Sequence, residues 1–264
     1  MSRKYILIIP ALIAALMLSF SACGGKKSKA RDSSAISALS SLAESLSPEK
    51  SLKSQTAGGF SESYEKYLDI KSKAYEYISG IIEKDDTLAL SVGMSLLPVA
   101  MIDLSLIPLT VVGTGSGAEM ALRFMGMEGV KIDQSGNNYT ITYSNKDGAP
   151  VVQTCEFDPG TDSVSSSITT AEIESLFFEY VKTGSGYASQ YTTLKKDSTD
   201  YTLMKCFFND SDTAGFGFET VSGRPDSIYK NTALDSGFAV SREMYCILEN
   251  DQLKVFRNGV LKTY

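Results

Sequence analysis

The chain has 264 residues, 25 basic against 31 acidic, a net charge of −6, and neither histidine nor tryptophan. The acidic balance argues against a nucleic-acid partner, which needs a basic face. Without an imidazole, Ser-His-Asp and Cys-His nucleophile activation, the zinc-protease motif and the two-His-one-carboxylate iron site are all excluded.

Residues 2–4 are Ser2-Arg3-Lys4, a short positive stretch. Tyr5 to Phe20 follows and is apolar almost throughout, then small Ser21 and Ala22, then Cys23. Charge, apolar core and small residues in that order make a secretory signal. A permanent spanning helix needs about 20 apolar residues, so the stretch is marginal for that role. Phe20-Ser21-Ala22-Cys23 resembles the lipobox of bacterial lipoproteins, with Phe20 standing where an aliphatic residue is usual. The resemblance covers only the first 23 residues or so. It implies cleavage before Cys23, lipid on the Cys23 thiol, and a position at a membrane outside the cytoplasm. The competing reading is an uncleaved N-terminal helix with Cys23 incidental. Two acyl chains hold a protein firmly to a bilayer, at about 0.8 kcal/mol per buried methylene. Lys26, Lys27, Lys29 and Arg31 would lie beside that anchor, where each basic residue gains roughly 1 kcal/mol near anionic lipid.

Removing residues 1–22 leaves 242 residues, 23 basic against 31 acidic, a balance of −8. The expected organisation is a signal peptide over 1–22, a lipidated tether over 23–60 and one domain over 61–264. The tether is rich in Ser, Gly and Lys, which cannot bury enough apolar surface to offset ordering. Within it Ile36, Leu39, Leu42 and Leu46 recur at helical spacing.

Ser61 to Lys84 reads as a helix, with Tyr64, Tyr67, Leu68, Ala74, Ile78, Ile81 and Ile82 near one face and Ser61 as N-cap. Leu88 to Val112 is apolar but broken by Pro98, Asp103 and Pro108. As a membrane span it would carry two prolines and an acid, a costly arrangement. The expectation is one or two short helices buried on all sides, with Asp103 needing a partner. Ala118 to Met127 reads as another short helix.

From Glu128 the period changes to two, as in Tyr139-Thr140-Ile141-Thr142-Tyr143. Strands are expected at 151–157, 172–182, 187–194, 201–208, 214–221, 243–248, 253–257 and 260–264, separated by turns such as Asn258-Gly259. Short connections imply an antiparallel meander over 128–264. Phe177-Phe178 and Phe207-Phe208 are adjacent pairs, so these strands need cover on both faces. The fold class expected is α+β: N-terminal helices over 61–127 packed on a curved antiparallel β-meander, loosely similar to the open half-barrel of envelope lipoprotein carriers.

Four motif matches bear on chemistry. Gly113, Gly115 and Ala118 fit a dinucleotide fingerprint with Asp133 beyond, but no alternation of strand and helix surrounds them, and a Gly-rich turn is expected. Ser63-Tyr64-Glu65-Lys66, Tyr143-Ser144-Asn145 and Lys182-Thr183-Gly184 follow the order of the serine β-lactamase and penicillin-binding family. Only 38 residues separate Ser144 from Thr183, too few for that family's intervening structure. Asp210, Asp212 and Gly215 fit part of a calcium loop, but Ala214 and Val221 fail it. Glu172/Glu174 and Glu156/Asp158 are carboxylate pairs of a kind common on strand surfaces. Cys155, Cys206 and Cys246 lie in apolar strand-like segments and read as buried small hydrophobes.

The expected function is a non-catalytic binding module at the membrane, taking an apolar ligand between the sheet and the 88–127 helices. The alternatives are a structural or protein-interaction lipoprotein with a filled core, and a His-independent hydrolase using Ser-Lys or paired carboxylates. No catalytic, cofactor or metal residue is assigned. The partners expected are membrane lipid through Cys23, an apolar small molecule or an envelope protein, and no nucleic acid.

Overall fold

The structure, a computed structural model, describes residues 58–82, 92, 99, 102–103, 105–112, 117–124, 126–195 and 198–264. The signal peptide, Cys23 and nearly all of the tether lie outside the described residues, as does Gly113-Thr114-Gly115-Ser116.

Three helices precede the sheet among the described residues: α1 (Gly58–Ile82), α2 (Ile107–Thr110) and α3 (Gly117–Phe124). Helix α1 begins three residues before the expected Ser61 cap, so Ser61 sits within its first turn and no acid falls there. Its buried positions Phe60, Tyr64, Tyr67, Lys71, Ala74, Tyr75 and Ile78 recur every three or four residues, which is one stripe of a 3.6-residue helix. The opposite face carries the pairs Glu62–Lys66 at 3.2 Å and Asp69–Lys73 at 2.8 Å.

Eleven strands follow: β1 (Glu128–Ser135), β2 (Asn138–Ser144), β3 (Pro150–Asp158), β4 (Ser163–Thr170), β5 (Ile173–Lys182), β6 (Tyr187–Leu194), β7 (Tyr201–Phe208), β8 (Thr213–Val221), β9 (Met244–Glu249), β10 (Gln252–Arg257) and β11 (Val260–Thr263). They form one antiparallel sheet in which every strand pairs with its sequence neighbours, and β1 and β11 remain unpaired edges. The meander is therefore as expected, and the class is broadly α+β. Two strands went unread in the sequence, the polar edge β1 and the serine-rich β4.

The finer expectation of several helices over 61–127 laid together on the sheet is not what the described residues show. One long helix crosses the strands, α2 is a single turn of four residues, and the short α3 meets edge strand β1, with Leu122 buried in the core. The pleat turns alternate residues of each strand toward α1. One register row runs Tyr139, Cys155, Ser166, Phe178, Tyr191, Met204 and Phe218 from β2 to β8. A second runs Phe157, Val164, Tyr180, Ser189, Cys206, Phe216, Cys246 and Val255 from β3 to β10. Onto these rows α1 sets its rings in order. Phe60 lies 5.4 Å from Tyr139 and 5.7 Å from Phe157, Tyr64 6.5 Å from Phe178, Tyr67 4.5 Å from Tyr180, and Tyr75 5.3 Å from Phe216. Val92, Val99, Ile102, Leu106, Leu109 and Val112 are buried in the same core, while Ser105 and Thr110 of the same stretch are exposed, so it presents one face to the core rather than being buried on all sides where it is described. No helix among the described residues is long and apolar enough to cross a membrane.

The far face of β5–β8 is covered by the segment 222–243, which contains a 3-10 turn at Ser236–Ala239. It forms a second, smaller core: Ile228 and Ala239 with Val181, Ala188 and Phe207, flanked by Leu234 and Phe238. The adjacent phenylalanines are thereby explained. Phe178 and Phe208 face α1, Phe207 faces the covering segment, and Phe177 packs under the guanidinium of Arg224 at 3.4 Å. Close approach requires glycine at the crossing: a Cβ on Gly217 would stand 2.0 Å from the Ala239 carbonyl oxygen. Glu179, 1 % exposed, ties the segment down by accepting from Ser227 Oγ at 2.6 Å, Ile228 N at 2.9 Å and Gln190 Nε2 at 2.7 Å.

Candidate functional site

Two clusters of polar side chains interrupt the core, and both involve α1. The first lies at its amino end. Ser63 is buried one turn into the helix, and its hydroxyl meets the Tyr180 hydroxyl at 2.6 Å and donates to the Asp162 carboxylate. Asp162 occupies the β3–β4 turn with φ +48°, a left-handed conformation that aspartate tolerates better than most residues. Its other oxygen accepts from Tyr187 Oη at 2.9 Å. Burial pushes the phenols of Tyr180 and Tyr187 upward, so both remain neutral donors near neutrality.

Above this cluster opens a cleft of about 680 Å³, lined among others by Ser63, Lys66, Asp162, Lys182, Thr183 and Thr232. The fold thus brings Ser63 and Lys66 of one motif together with Lys182-Thr183-Gly184 of another. Tyr143-Ser144-Asn145 is not among the cleft residues; it ends β2 and begins the β2–β3 turn, where Asn145 Oδ1 accepts from Asp147 N and Ala149 N. Nucleophilic serine chemistry needs a base that takes the hydroxyl proton. The Ser63 proton points at a carboxylate, and the Lys66 ammonium is 60 % exposed and paired with Glu62 at 3.2 Å. Lys66 is thus a solvated, ion-paired side chain in the lining of the cleft.

The second cluster lies mid-helix. Lys71, its side chain 3 % exposed, donates to both oxygens of Asp103 at 2.6 and 2.8 Å and to Tyr191 Oη at 2.8 Å. The ammonium stands 4.9 Å from the centre of the Tyr191 ring, and the Tyr67 hydroxyl joins Tyr191 and donates to Ser189 Oγ at 3.0 Å. Asp103 thus has the partner its burial demands. Burial still raises its carboxyl above the ordinary range, with the Lys71 charge pulling it back. A buried pair satisfied this completely resembles a registry pin more than a reactive centre. The sequence signal for Lys71 was present but unread: it stands four residues after Tyr67 and four before Tyr75, on the apolar stripe.

The remaining candidates are separated or engaged. Asn209-Asp210-Ser211-Asp212 is the β7–β8 turn. Asn209 Oδ1 accepts from Ser211 N, Asp212 N and Thr213 N, and Asp212 Oδ1 accepts from Asn209, Ser211 and Thr213 side chains. Glu156 accepts from Tyr229, Asp158 pairs with Lys230 at 3.1 Å and Glu174 with Arg224 at 3.8 Å, while Glu172 sits in a turn at φ +68°. Asp133, the acid expected beyond the glycine-rich stretch, lies on edge strand β1. Among the described residues no group of three or more Cys, Asp or Glu could hold a metal ion. Cys155, Cys206 and Cys246 are free and buried, and burial raises all three thiols, Cys206 and Cys246 to about 12. No protein-family model, curated protein or solved structure matches the chain.

Proposed function

We propose that the chain is a lipid-anchored module of the cell envelope, held outside the cytoplasm through Cys23, that acts through its surfaces as a scaffold or partner-binding protein. The observation that carries this reading is the occupancy of the inner face of the sheet. Phe60, Tyr64, Tyr67 and Tyr75 stand where an apolar ligand would lie, and Tyr67 stacks on Tyr180 with ring centres 4.5 Å apart and planes within 4°. A ligand there must displace α1 and break the Lys71–Asp103 pair.

The same contacts support a sheet bent around the helix toward an open half-barrel. From Phe60 to Tyr75 the helix rises about 22 Å. Its ring partners run from β2 to β8, six inter-strand spacings or about 29 Å along the sheet. The chord is shorter than the arc. Native mass spectrometry of the delipidated protein tests the filled core: bare chain mass is expected, and a retained lipid or other apolar molecule would favour the carrier reading instead. Membrane fractionation of Cys23→Ala tests the anchor, with release from the membrane expected.

One observation favours a second reading, a His-independent hydrolase: Ser63, Lys66 and Lys182-Thr183-Gly184 share one cleft. Labelling by a fluorophosphonate probe, lost in Ser63→Ala, would establish it. The hydrogen bond from Ser63 to Asp162 leads us to expect no labelling.

A further inference from the structure

The end of the sheet farthest from β1 differs from the rest of the surface. Strand β11 is exposed along its whole length, with Val260 53 %, Leu261 54 % and Tyr264 44 % exposed. Opposite Leu261 in register is Phe256, and opposite Phe256 is Tyr245, their rings stacked 5.1 Å apart. A row of apolar side chains therefore crosses the outer face of β9–β11. Between Gln252 and Thr263 stand Lys254, Arg257 and Lys262 and no acid, in a chain whose net charge is −6. Lys254 is paired with Glu249 at 3.6 Å; no ion pair engages Arg257 or Lys262 among the described residues.

We infer that the β10–β11 hairpin is a docking surface for an anionic lipid bilayer that it meets edge first: Leu261 on one face and Val260 on the other enter the interface, while Arg257 and Lys262, opposite Val260 and Val255 in register and so on the face of Val260, meet lipid phosphates. The inference rests on the membrane-anchored reading, which it extends by stating which face of the body meets the membrane. Apolar residues interleaved with cations form the signature of an interfacial element, and long basic side chains keep their charge at phosphate level while their stems stay in apolar surroundings. Charge selects this occupant over a second copy of the chain. Pairing two β11 edges would bring two cationic hairpins side by side, and a lysine on an edge strand is a known guard against such pairing.

The chain has no tryptophan, so Leu261→Trp introduces a lone fluorescent reporter. The full-length variant is reconstituted with phosphatidylcholine vesicles and, separately, with vesicles containing phosphatidylglycerol. A blue-shifted indole emission, quenched by brominated acyl chains, is expected in the anionic vesicles only. Arg257→Gln and Lys262→Gln, each added to the reporter variant, should weaken it about fivefold. Ile173→Trp, at an exposed apolar position on β5, should give unshifted emission in both vesicles. Co-flotation with the neutral vesicles reads the N-terminal anchor separately, so either idea can fail alone. Unshifted emission from Leu261→Trp in anionic vesicles overturns the docking surface, as does a lipid-free blue shift that grows with protein concentration, which marks contact between chains. Should Leu261→Trp fail to fold, Val260→Trp reports on the other face of the same strand.

Discussion

Replacing Lys71 with methionine keeps the shape of the side chain and removes its charge, leaving the Asp103 carboxylate in the core without its counterion. Breaking a buried pair from one side costs about 3–5 kcal/mol. For a body of about 200 residues each kcal/mol shifts the melting temperature by about 2–4 °C, so a fall of about 6–20 °C is expected at pH 7. The loss should depend on pH in one direction. Burial already raises Asp103 above its ordinary value of 3.8, and the Lys71 charge is what pulls it back. Without Lys71 the carboxyl rises further and binds its proton more tightly folded than unfolded. The variant is then relatively most stable below pH 3.8 and loses stability as pH rises through the raised value. Asp158, Asp212 and Glu219 have lowered folded values and so lose their contribution as pH falls. They act alike on both proteins, so the quantity to follow is the difference in melting temperature between parent and variant at each pH. Thermal melts by circular dichroism from about pH 3 to 8 should show that gap widest at neutrality and closing in acid. A gap below about 2 °C at pH 7, or one that stays constant across the range, would refute the ionic pin. The double variant Lys71→Met with Asp103→Leu should recover the loss or exceed the parent, because a packed apolar pair is often more stable than a buried ionic one by about 1–4 kcal/mol.

Gly217→Ala drives a methyl into the Ala239 carbonyl and should cost about 1–3 kcal/mol, releasing 222–243 to limited proteolysis while α1 keeps its amide protection. Glu179→Leu should free the same segment, seen as faster hydrogen exchange at Ile228, whose amide it accepts at 2.9 Å. Native protein should leave Cys155, Cys206 and Cys246 unmodified by a thiol reagent at pH 8, since their folded values are raised. Unfolded mature protein should then expose three thiols, and a fourth would mean that Cys23 carries no lipid.

The meander was legible because its strands alternate and its turns are marked. In β3 the residues Val151, Gln153, Cys155 and Phe157 point inward and their neighbours outward, and Asn258-Gly259 closes the last hairpin with both residues at positive φ. The need for cover on both faces could be read from Phe177-Phe178 and Phe207-Phe208. Strand β4 could not, because Ser163-Val164-Ser165-Ser166-Ser167-Ile168 has the composition of a linker. Its inward serine is made tolerable by a bond from Ser166 Oγ to the Thr154 carbonyl at 2.7 Å and by one accepted from Gln153 Nε2 at 3.4 Å, which no local pattern announces. The covering segment 222–243 escaped for a similar reason: its contacts to Glu179 and Gly217 are long-range, and it has no period of its own. At the cleft, Ser63-Tyr64-Glu65-Lys66 and Lys182-Thr183-Gly184 were read as part of one ordered set and set aside on spacing, which says nothing of the β3–β4 turn that places Asp162 beside both. Lys71 was passed over as a charged residue on a helix, although its place on the aromatic stripe marked it as buried.

The rings of α1 meet the strands in the order in which the strands are made: Phe60 with β2 and β3, Tyr64 and Tyr67 with β5, Tyr75 with β8. A polypeptide delivered amino end first, from a ribosome or a pore, can therefore close over its leading helix one turn at a time, each new hairpin zipping onto the last while covering the next aromatic. Synthesis must still reach Phe216, 141 residues beyond Tyr75, before that ring is shielded. A nascent chain halted between β5 and β8 would carry a half-clad, sticky helix, and it is at this stage that a chaperone has most to protect.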